Sequence, residues 1–257
     1  MSFKVVIPSR FASSRLPGKP LLDIAGKPMV QHVWERAVNS AAEEVIIATD
    51  HQGIFDIAKD FGATVVMTKP EHESGTDRLQ EVSSQLGFND KDIIVNVQGD
   101  EPLIPASVIN QTALLMQDPS ASMATLYELC SSVEQVFDPN VVKVVTTETQ
   151  LDLQQALYFS RSPMPWCRDE FSLQQTLNKL PKGIEYKRHL GIYAYRVSLL
   201  NQFIEWPMAQ LEQIEKLEQL RVLANGAKIN IALACESIPP GVDTQSDLDH
   251  VRALMAH

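Results

Sequence analysis

Four short runs of β-branched and aliphatic residues, each ending in polar or turn-forming residues, constrain the fold of this chain more than any other feature. They are KVVIPS at 4–9, EEVIIATD at 43–50, ATVVMT at 63–68 and DIIVNVQGD at 92–100. Short apolar runs of this kind predict buried strands. Between them lie MVQHVWERAVNS, whose Val30, Val33, Trp34, Ala37 and Val38 recur at helical spacing, and GIFDIAKDFG and TDRLQEVSSQLG, each closing on glycine. Strands alternating with helices call for right-handed crossovers and a largely parallel sheet. Ligands of such sheets collect at the carboxyl ends of the strands. Ser9 and Arg10, Thr49 and Asp50, and Gln98, Gly99 and Asp100 are therefore expected on one rim.

After about residue 120 the pattern changes. VVKVVTT (141–147), ALYFSR (156–161), HLGIYAY (189–195) and KINIALA (228–234) are strand candidates less regularly interleaved with helices, which predicts a mixed or partly antiparallel arrangement. QLEQIEKLEQLRVLANG (210–226) reads as one long amphipathic helix closed by Asn-Gly, and TQSDLDHVRALMA (244–256) as a helix capped by Thr244 or Ser246. The polar, weakly periodic stretch at 168–187 reads in part as a mobile loop. These differences divide the chain into 1–120 and 121–257, with a return to the main sheet near the C-terminus; one continuous domain fits the same pattern.

A formal net charge of −10 argues against a nucleic-acid binder or a protein held to an anionic membrane, since both partners select for a basic surface. The first 27 residues run the other way: Lys4, Arg10, Arg15, Lys19 and Lys27 face the single Asp23, a local +4 that leaves −14 elsewhere. Such an island suits a small, highly charged anion. Cys130, Cys167 and Cys235 lie far apart and form no CxxC pair, so a disulfide framework or zinc site gets little support. With no secretory h-region and no membrane span in the sequence, a cytoplasmic protein is expected.

The segment IPSRFASSRLPGKP (7–20) carries Arg10, Arg15 and Lys19 just past the first strand. It contains neither GxGxxG nor GxxxxGK[ST], and Pro20 after Gly18 and Lys19 offers a phosphate no backbone N–H. An anion would be met chiefly by side chains; the alternative is a solvated basic loop. In VQGDEP (97–102), a carboxylate at the tip of a buried strand is a natural anchor for Mg²⁺, which takes one or two carboxylates plus phosphate oxygens. Equally, Asp100 could cap a following helix. In ESGTDRL (73–79), small residues open a helix whose free N–H groups welcome an anion or a base edge; equally, Ser74 or Thr76 is simply the N-cap, with Asp77 in the first turn. His189 and Tyr193 lie four apart on a strand candidate and share a face, which could also be plain sheet surface or a dimer contact. Glu218 and Gln219 would ordinarily be solvated helix surface, and Asp243 a turn residue before the last helix.

Taken together, IPSRFASSRLPGKPL, ATD, SGTDRL, IVNVQGDEP, ALYFSR, RHLGIYAYR, IEKLEQLR and GVDT, in that order over nearly the whole chain, resemble the 3-deoxy-manno-octulosonate (Kdo) cytidylyltransferases, or CMP-Kdo synthetases. Two departures stand out: Ser9 occupies a position usually held by alanine, and the segment between Phe171 and Tyr186 follows no pattern of the family. The resemblance implies a three-layer α/β/α nucleotidyltransferase fold with a mostly parallel mixed sheet, a smaller mixed β/α dimerisation part and a homodimer. It implies transfer of CMP from CTP to the acid sugar Kdo, with Mg²⁺, on the way to lipopolysaccharide. On that basis Arg10, Arg15 and Lys19 surround the phosphates, and Asp100 and Asp243 hold the metal. Thr49, Asp50, Ser74, Gly75, Arg78 and Gln98 recognise the nucleoside. Arg161 and His189 stand near the acceptor carboxylate, and Tyr193, Glu218 and Gln219 complete the sugar site. Sialate or an 8-amino Kdo as acceptor, and a non-catalytic CTP sensor, are the alternatives.

Overall fold

The computed structural model describes residues 1–12, 15–72, 74–148, 154–171 and 179–255. The first buried run forms β1 (Lys4–Ser9) and is followed by a two-strand hairpin, β2 (Asp23–Ile24) and β3 (Lys27–Pro28), and helix α1 (Met29–Val38). Then β4 (Glu44–Thr49), α2 (Gln52–Asp60), β5 (Thr64–Met67), α3 (Gly75–Gln85), β6 (Ile93–Asn96) and α4 (Ala106–Leu114) complete the alternating half. The second half comprises β7 (Met123–Leu129), α5 (Val133–Phe137), β8 (Lys143–Glu148), β9 (Gln154–Ser160), β10 (Lys187–Arg196), α6 (Val197–Phe203), α7 (Gln210–Glu215), α8 (Gln219–Ala224), β11 (Ile229–Leu233) and α9 (Gln245–Met255).

All four expected strands form and pair in parallel, in the order β5-β4-β1-β6. Their side chains explain the unbroken apolar runs: Val5 and Ile7 join one core with α1, α2 and α4, while Val6 joins another with α3, α6 and α8. A strand with helices packed on both faces needs apolar residues at every position. Each such fully buried Val or Ile contributes roughly 1.5–3 kcal/mol.

Beyond β6 the sheet turns antiparallel. β10 pairs with both β6 and β7, β11 runs parallel to β7, and β9 and β8 follow. Because Lys187 and Arg188 of β10 also pair with Val144 and Lys143, strands β10, β7, β11, β9 and β8 close a circuit. One nine-stranded sheet thus crosses the boundary at residue 120, and the last helix returns to the first half, where Leu248 and Val251 pack on Ile24 and Met29. β7 is a central strand that the β-branched criterion does not single out: MATLYEL is rich in helix formers, and its burial between β10 and β11 overrides that preference.

The expected long helix at 210–226 is instead two, α7 and α8, broken at Lys216, whose backbone is left-handed (φ 55°, ψ 48°). Arg161 causes the break to persist. Its Nε donates to the Glu215 carbonyl (2.7 Å), while its own amide and the Ser160 hydroxyl donate to the Glu215 carboxylate (3.0 and 2.6 Å). Across the break, Arg221 makes a buried two-pronged pair with Glu212 (2.8 and 2.7 Å). The loop reading at 168–187 falls partly on residues 172–178, outside the described residues; Phe171 and Tyr186, at its ends, are buried and stacked at 5.6 Å.

Candidate active site

β1 has β4 on one side and β6 on the other, so the chain leaves these strands in opposite directions and a crevice opens at their carboxyl ends. A cleft of about 570 Å³ occupies this position and extends along β10 to α8. One wall comes from the loops after β1 and β6: Arg10, Arg15, Lys19, Gln98, Gly99 and Asp100, joined by Asp243. The other carries Thr76, Asn96, Tyr193, Tyr195, Glu218 and Gln219, over an apolar floor of Met123, Phe203 and Val222.

The first wall is assembled by backbone contacts. A Cβ on Gly99 would lie 2.7 Å from the Pro8 carbonyl and 2.8 Å from the Ser9 hydroxyl, so only glycine lets the β6 loop rest on the end of β1. The Val242 amide donates to the Asp100 carbonyl (2.8 Å), which brings Asp243, 143 residues away in sequence, beside Asp100. Between the two carboxylates sits the Lys19 ammonium, 2.7 Å from Asp100 and 3.0 Å from Asp243. Burial works against its charge, but the two aspartates outweigh this and hold its pKa above the usual lysine range. Arg15 approaches Asp243 from solvent (3.0 Å). Neighbouring Glu101 is pushed up to about 8, by burial first and by Asp100 second, so it stays largely protonated near neutrality.

Asp50 and Arg78 form the adjoining base of the wall. Arg78 is fully buried, donates to the Asp50 carboxylate (2.9 Å) and to the Thr68 hydroxyl, and still reaches the cleft. The other Asp50 oxygen accepts from the Phe11 amide (3.4 Å), and Phe11 stacks on His51 at 3.9 Å, which ties the basic loop to the end of β4. Asp50 and Thr49 themselves do not line the cleft; the Thr49 hydroxyl accepts from the His51 amide. Ser74 is the cap of α3, in a reciprocal box with Asp77, and leaves Gly75 and Thr76 to face the cleft.

On the second wall, Thr76 donates to Glu218 (2.8 Å), whose carboxyl is raised by burial and by nearby Asp77 and Glu212, against the opposing pull of Thr76 and the Gly75 amide. Tyr193 and Tyr195 are raised well above the ordinary phenol range, chiefly by burial. Two buried polar atoms here lack any partner among the described residues: Asn96 Oδ1 and Gln219 Nε2. Such atoms in a cleft are unmet hydrogen bonds that a polar ligand would satisfy.

Arg161 and His189 do not reach the lining. Arg161 spends Nε and Nη1 on the carbonyls of Glu215 and Pro139. His189 lies edge-on to Phe159 and 5.2 Å from Tyr193, and burial drives its pKa down to about 3. The Thr125 hydroxyl is within reach of the Leu190 and Ile192 carbonyls and so donates there; the 3.1 Å contact with His189 is then a donation from neutral Nε2–H. Sequence reasoning missed Lys216, Tyr195 and Asn96, and named Thr76 only in the turn that opens α3. Tyr195 was within its reach, since residues 193 and 195 share a strand face. Lys216 was hidden by the reading of one unbroken helix.

Comparison with known proteins identifies the family. The family described as cytidylyltransferase matches residues 4–229. A protein of Saccharophagus degradans named 3-deoxy-manno-octulosonate cytidylyltransferase is 61% identical over 99% of both chains, and one of the same name from Cellvibrio japonicus is 57% identical over 99% of this chain and 98% of its own. A CMP:2-keto-3-deoxy-manno-octonic acid synthetase solved in complex with CTP superposes with a TM-score of 0.87 at 43% identity, covering 99% of this chain and 98% of that one. A cytidylyltransferase from Leptospira borgpetersenii, 18% identical, shares the fold with a TM-score of 0.60 over 99% of this chain and 86% of that one. The two walled cleft and these matches lead to one conclusion: the chain is a nucleotidyltransferase belonging to the cytidylyltransferase family.

Proposed function

We propose that this enzyme activates Kdo with CTP, giving CMP-Kdo and pyrophosphate, as a precursor for lipopolysaccharide. The observation that carries the reading is the meeting of Lys19 with Asp100 and Asp243 at one end of a cleft whose other end is a desolvated, hydrogen-bonding wall. A triphosphate fits the first end and a polyhydroxylated acceptor the second. Gly75, Arg78 and Gln98 line the cleft and in this reading contact cytidine, with Asp50 orienting Arg78 and Ser74 shaping the turn.

The residues present fit Mg²⁺. Among the described residues no cluster of three or more His, Cys, Asp or Glu could hold a metal alone, but Asp100 and Asp243 converge on a single point, now marked by the Lys19 ammonium. Two carboxylates completed by phosphate oxygens make a suitable hard-oxygen donor set. Mg²⁺ held there would supply charge stabilisation to the phosphates. With those carboxylates engaged, Lys19 is freed to turn to the triphosphate, and Arg10 and Arg15 lie on the same wall.

In the reaction the anomeric hydroxyl of the acceptor attacks the α-phosphorus in line. A new P–O bond forms, the bond to the β-phosphate oxygen breaks, pyrophosphate departs with the electron pair, and the hydroxyl proton is released. No covalent enzyme intermediate is needed, so the residues act by positioning and charge stabilisation. Tyr193, Glu218 and Gln219 bind hydroxyls, His189 supports Tyr193 from below, and Arg161 holds the end of α7. We place the enzyme in the cytoplasm; among the described residues no helix is long and apolar enough to cross a membrane. A homodimer through the second-half strands is supported by exposed Leu129, Phe137, Leu157 and Trp166 in that half. Pyrophosphate release, assayed with a panel of nucleotides against Kdo, 8-amino Kdo and sialate, tests the reading: turnover confined to CTP with Kdo supports it, and preference for another acceptor or none overturns it.

A further inference from the structure

The loop after β1 carries the cleft-lining cations Arg10 and Lys19 and turns back on itself between them. The Gly18 amide donates to the Phe11 carbonyl (3.2 Å), so residues 11 and 18 form a neck, with Arg10 immediately before it and Lys19 immediately after. Gly18 is left-handed (φ 66°), a conformation that glycine takes at no steric cost, and a Cβ there would touch the Phe11 ring at 3.4 Å. On its other side Phe11 stacks on His51, just past the end of β4, with centroids 3.9 Å apart and planes 11° from parallel. This contact is not core packing. Phe11 is 38% exposed, and neither ring joins a buried cluster among the described residues. His51 is itself held in place, because its Nδ1 accepts the Gly53 amide (3.1 Å) as the cap of α2.

We propose that Phe11 and His51 form an aromatic latch, which fixes the neck of the basic loop to the end of β4 and so sets where Arg10 and Lys19 stand for CMP transfer. This rests on the reading of the first wall as the triphosphate end. Neither ring lines the cleft, so both are positioning residues that act through the cations flanking the neck. The loop needs such a support. Its Lys19 side is anchored by Leu16, packed with Ile24, Val242 and Leu248. The Arg10 side has only two long hydrogen bonds besides the stack: the 3.2 Å neck bond and the 3.4 Å bond from the Phe11 amide to Asp50. A stacked pair holds its members by roughly 2- to 10-fold beyond area burial. Displacing a charge-stabilising group by about 1 Å can cost on the order of 100-fold in rate. Charge that is aimed in advance at the departing pyrophosphate counts in the transition state, so loosening the latch lowers kcat.

The test compares wild type with Phe11→Leu, Phe11→Tyr, His51→Asn and the combination of Phe11→Leu with His51→Asn in steady-state pyrophosphate release from CTP and Kdo, with Lys19→Met beside them. Leucine keeps apolar bulk without the stack, tyrosine keeps the stack, and asparagine keeps the cap of α2 without the ring. Phe11→Leu and His51→Asn each lower kcat on the order of 10-fold or more, with the Kdo KM within about twofold of wild type. Phe11→Tyr stays within about twofold of wild type in kcat. Because either substitution removes the same contact, the combined variant falls no further than the worse single one. The midpoints of urea unfolding stay near that of wild type, since neither ring is in the core. A kcat within about twofold of wild type in both single variants, single effects that multiply in the combined one, or losses that follow a lowered urea midpoint would each overturn the latch. Full turnover by Lys19→Met would instead overturn the triphosphate reading on which the latch rests, and so the two failures are distinguishable.

Discussion

The two walls of the cleft are built by opposite strategies. The first wall, proposed for the triphosphate, is made of charges that neutralise one another in the free protein: Lys19 between Asp100 and Asp243, Arg15 on Asp243, Arg78 on Asp50. The acceptor wall is mostly neutral and desolvated, with two tyrosines raised by burial, a neutral histidine behind them and two polar atoms left without partners. On the proposed reading, a polyanion exchanges existing ion pairs on the first wall. A sugar on the second meets hydrogen bonds that the fold leaves open, and this kind of site discriminates strongly between hydroxyl patterns.

The largest effect should come from the first wall. Asp100→Asn removes a charge that pairs with Lys19 and that the proposed Mg²⁺ would need, and kcat/KM for pyrophosphate release should fall on the order of a thousandfold. A loss of less than about tenfold would mean that the Lys19 cluster is a structural ion pair only. Next comes the scaffold of the second wall. Arg221→Met leaves Glu212 charged and buried, and urea unfolding should show a loss of about 3–5 kcal/mol. A loss below about 1 kcal/mol would detach the α7–α8 break from that pair.

A smaller effect separates the walls directly. Gln219→Leu should raise the acceptor KM by roughly 10-fold and leave the CTP KM unchanged, since one neutral hydrogen bond is lost and a buried acceptor on the sugar is left unmet. Equal effects on both substrates would contradict a divided cleft. The smallest effect concerns His189. Its folded pKa of about 3 lies below the ordinary 6.5, so between these values the unfolded chain binds the extra proton and stability falls as pH falls. His189→Gln should flatten the dependence between pH 7 and 5 by on the order of 1 kcal/mol, measured by urea unfolding. An identical slope in both proteins would show that His189 titrates normally.

The same contrast explains what was legible in the sequence. The alternating half could be read because each strand there is buried on both faces and ends at the ligand rim, so Arg10, Lys19, Gln98 and Asp100 appear as contiguous polar tips on apolar runs. Asp243 reaches the same point through long-range contacts such as the Val242 to Asp100 hydrogen bond, which local pattern does not encode and the resemblance alone suggested. On the second wall the signals were weaker or misleading. The amphipathic period at 210–226 is genuine, yet tertiary hydrogen bonds from Ser160 and Arg161 break it at Lys216. Glu218 and Gln219 therefore face the cleft where the pattern alone expects solvent. β7 escaped notice for a related reason: its place between β10 and β11 is set by long-range pairing, which composition does not reveal.

The most direct measurement is a crystal structure of the protein with CTP and Mn²⁺, chosen for its anomalous signal as a stand-in for Mg²⁺. An anomalous peak at about 2.1–2.2 Å from oxygens of both Asp100 and Asp243, with Lys19 turned from the carboxylates to the phosphates, is the expected result. A metal bound away from these aspartates, or CTP lying against Glu218 and Gln219 with Lys19 still held between its carboxylates, would contradict it.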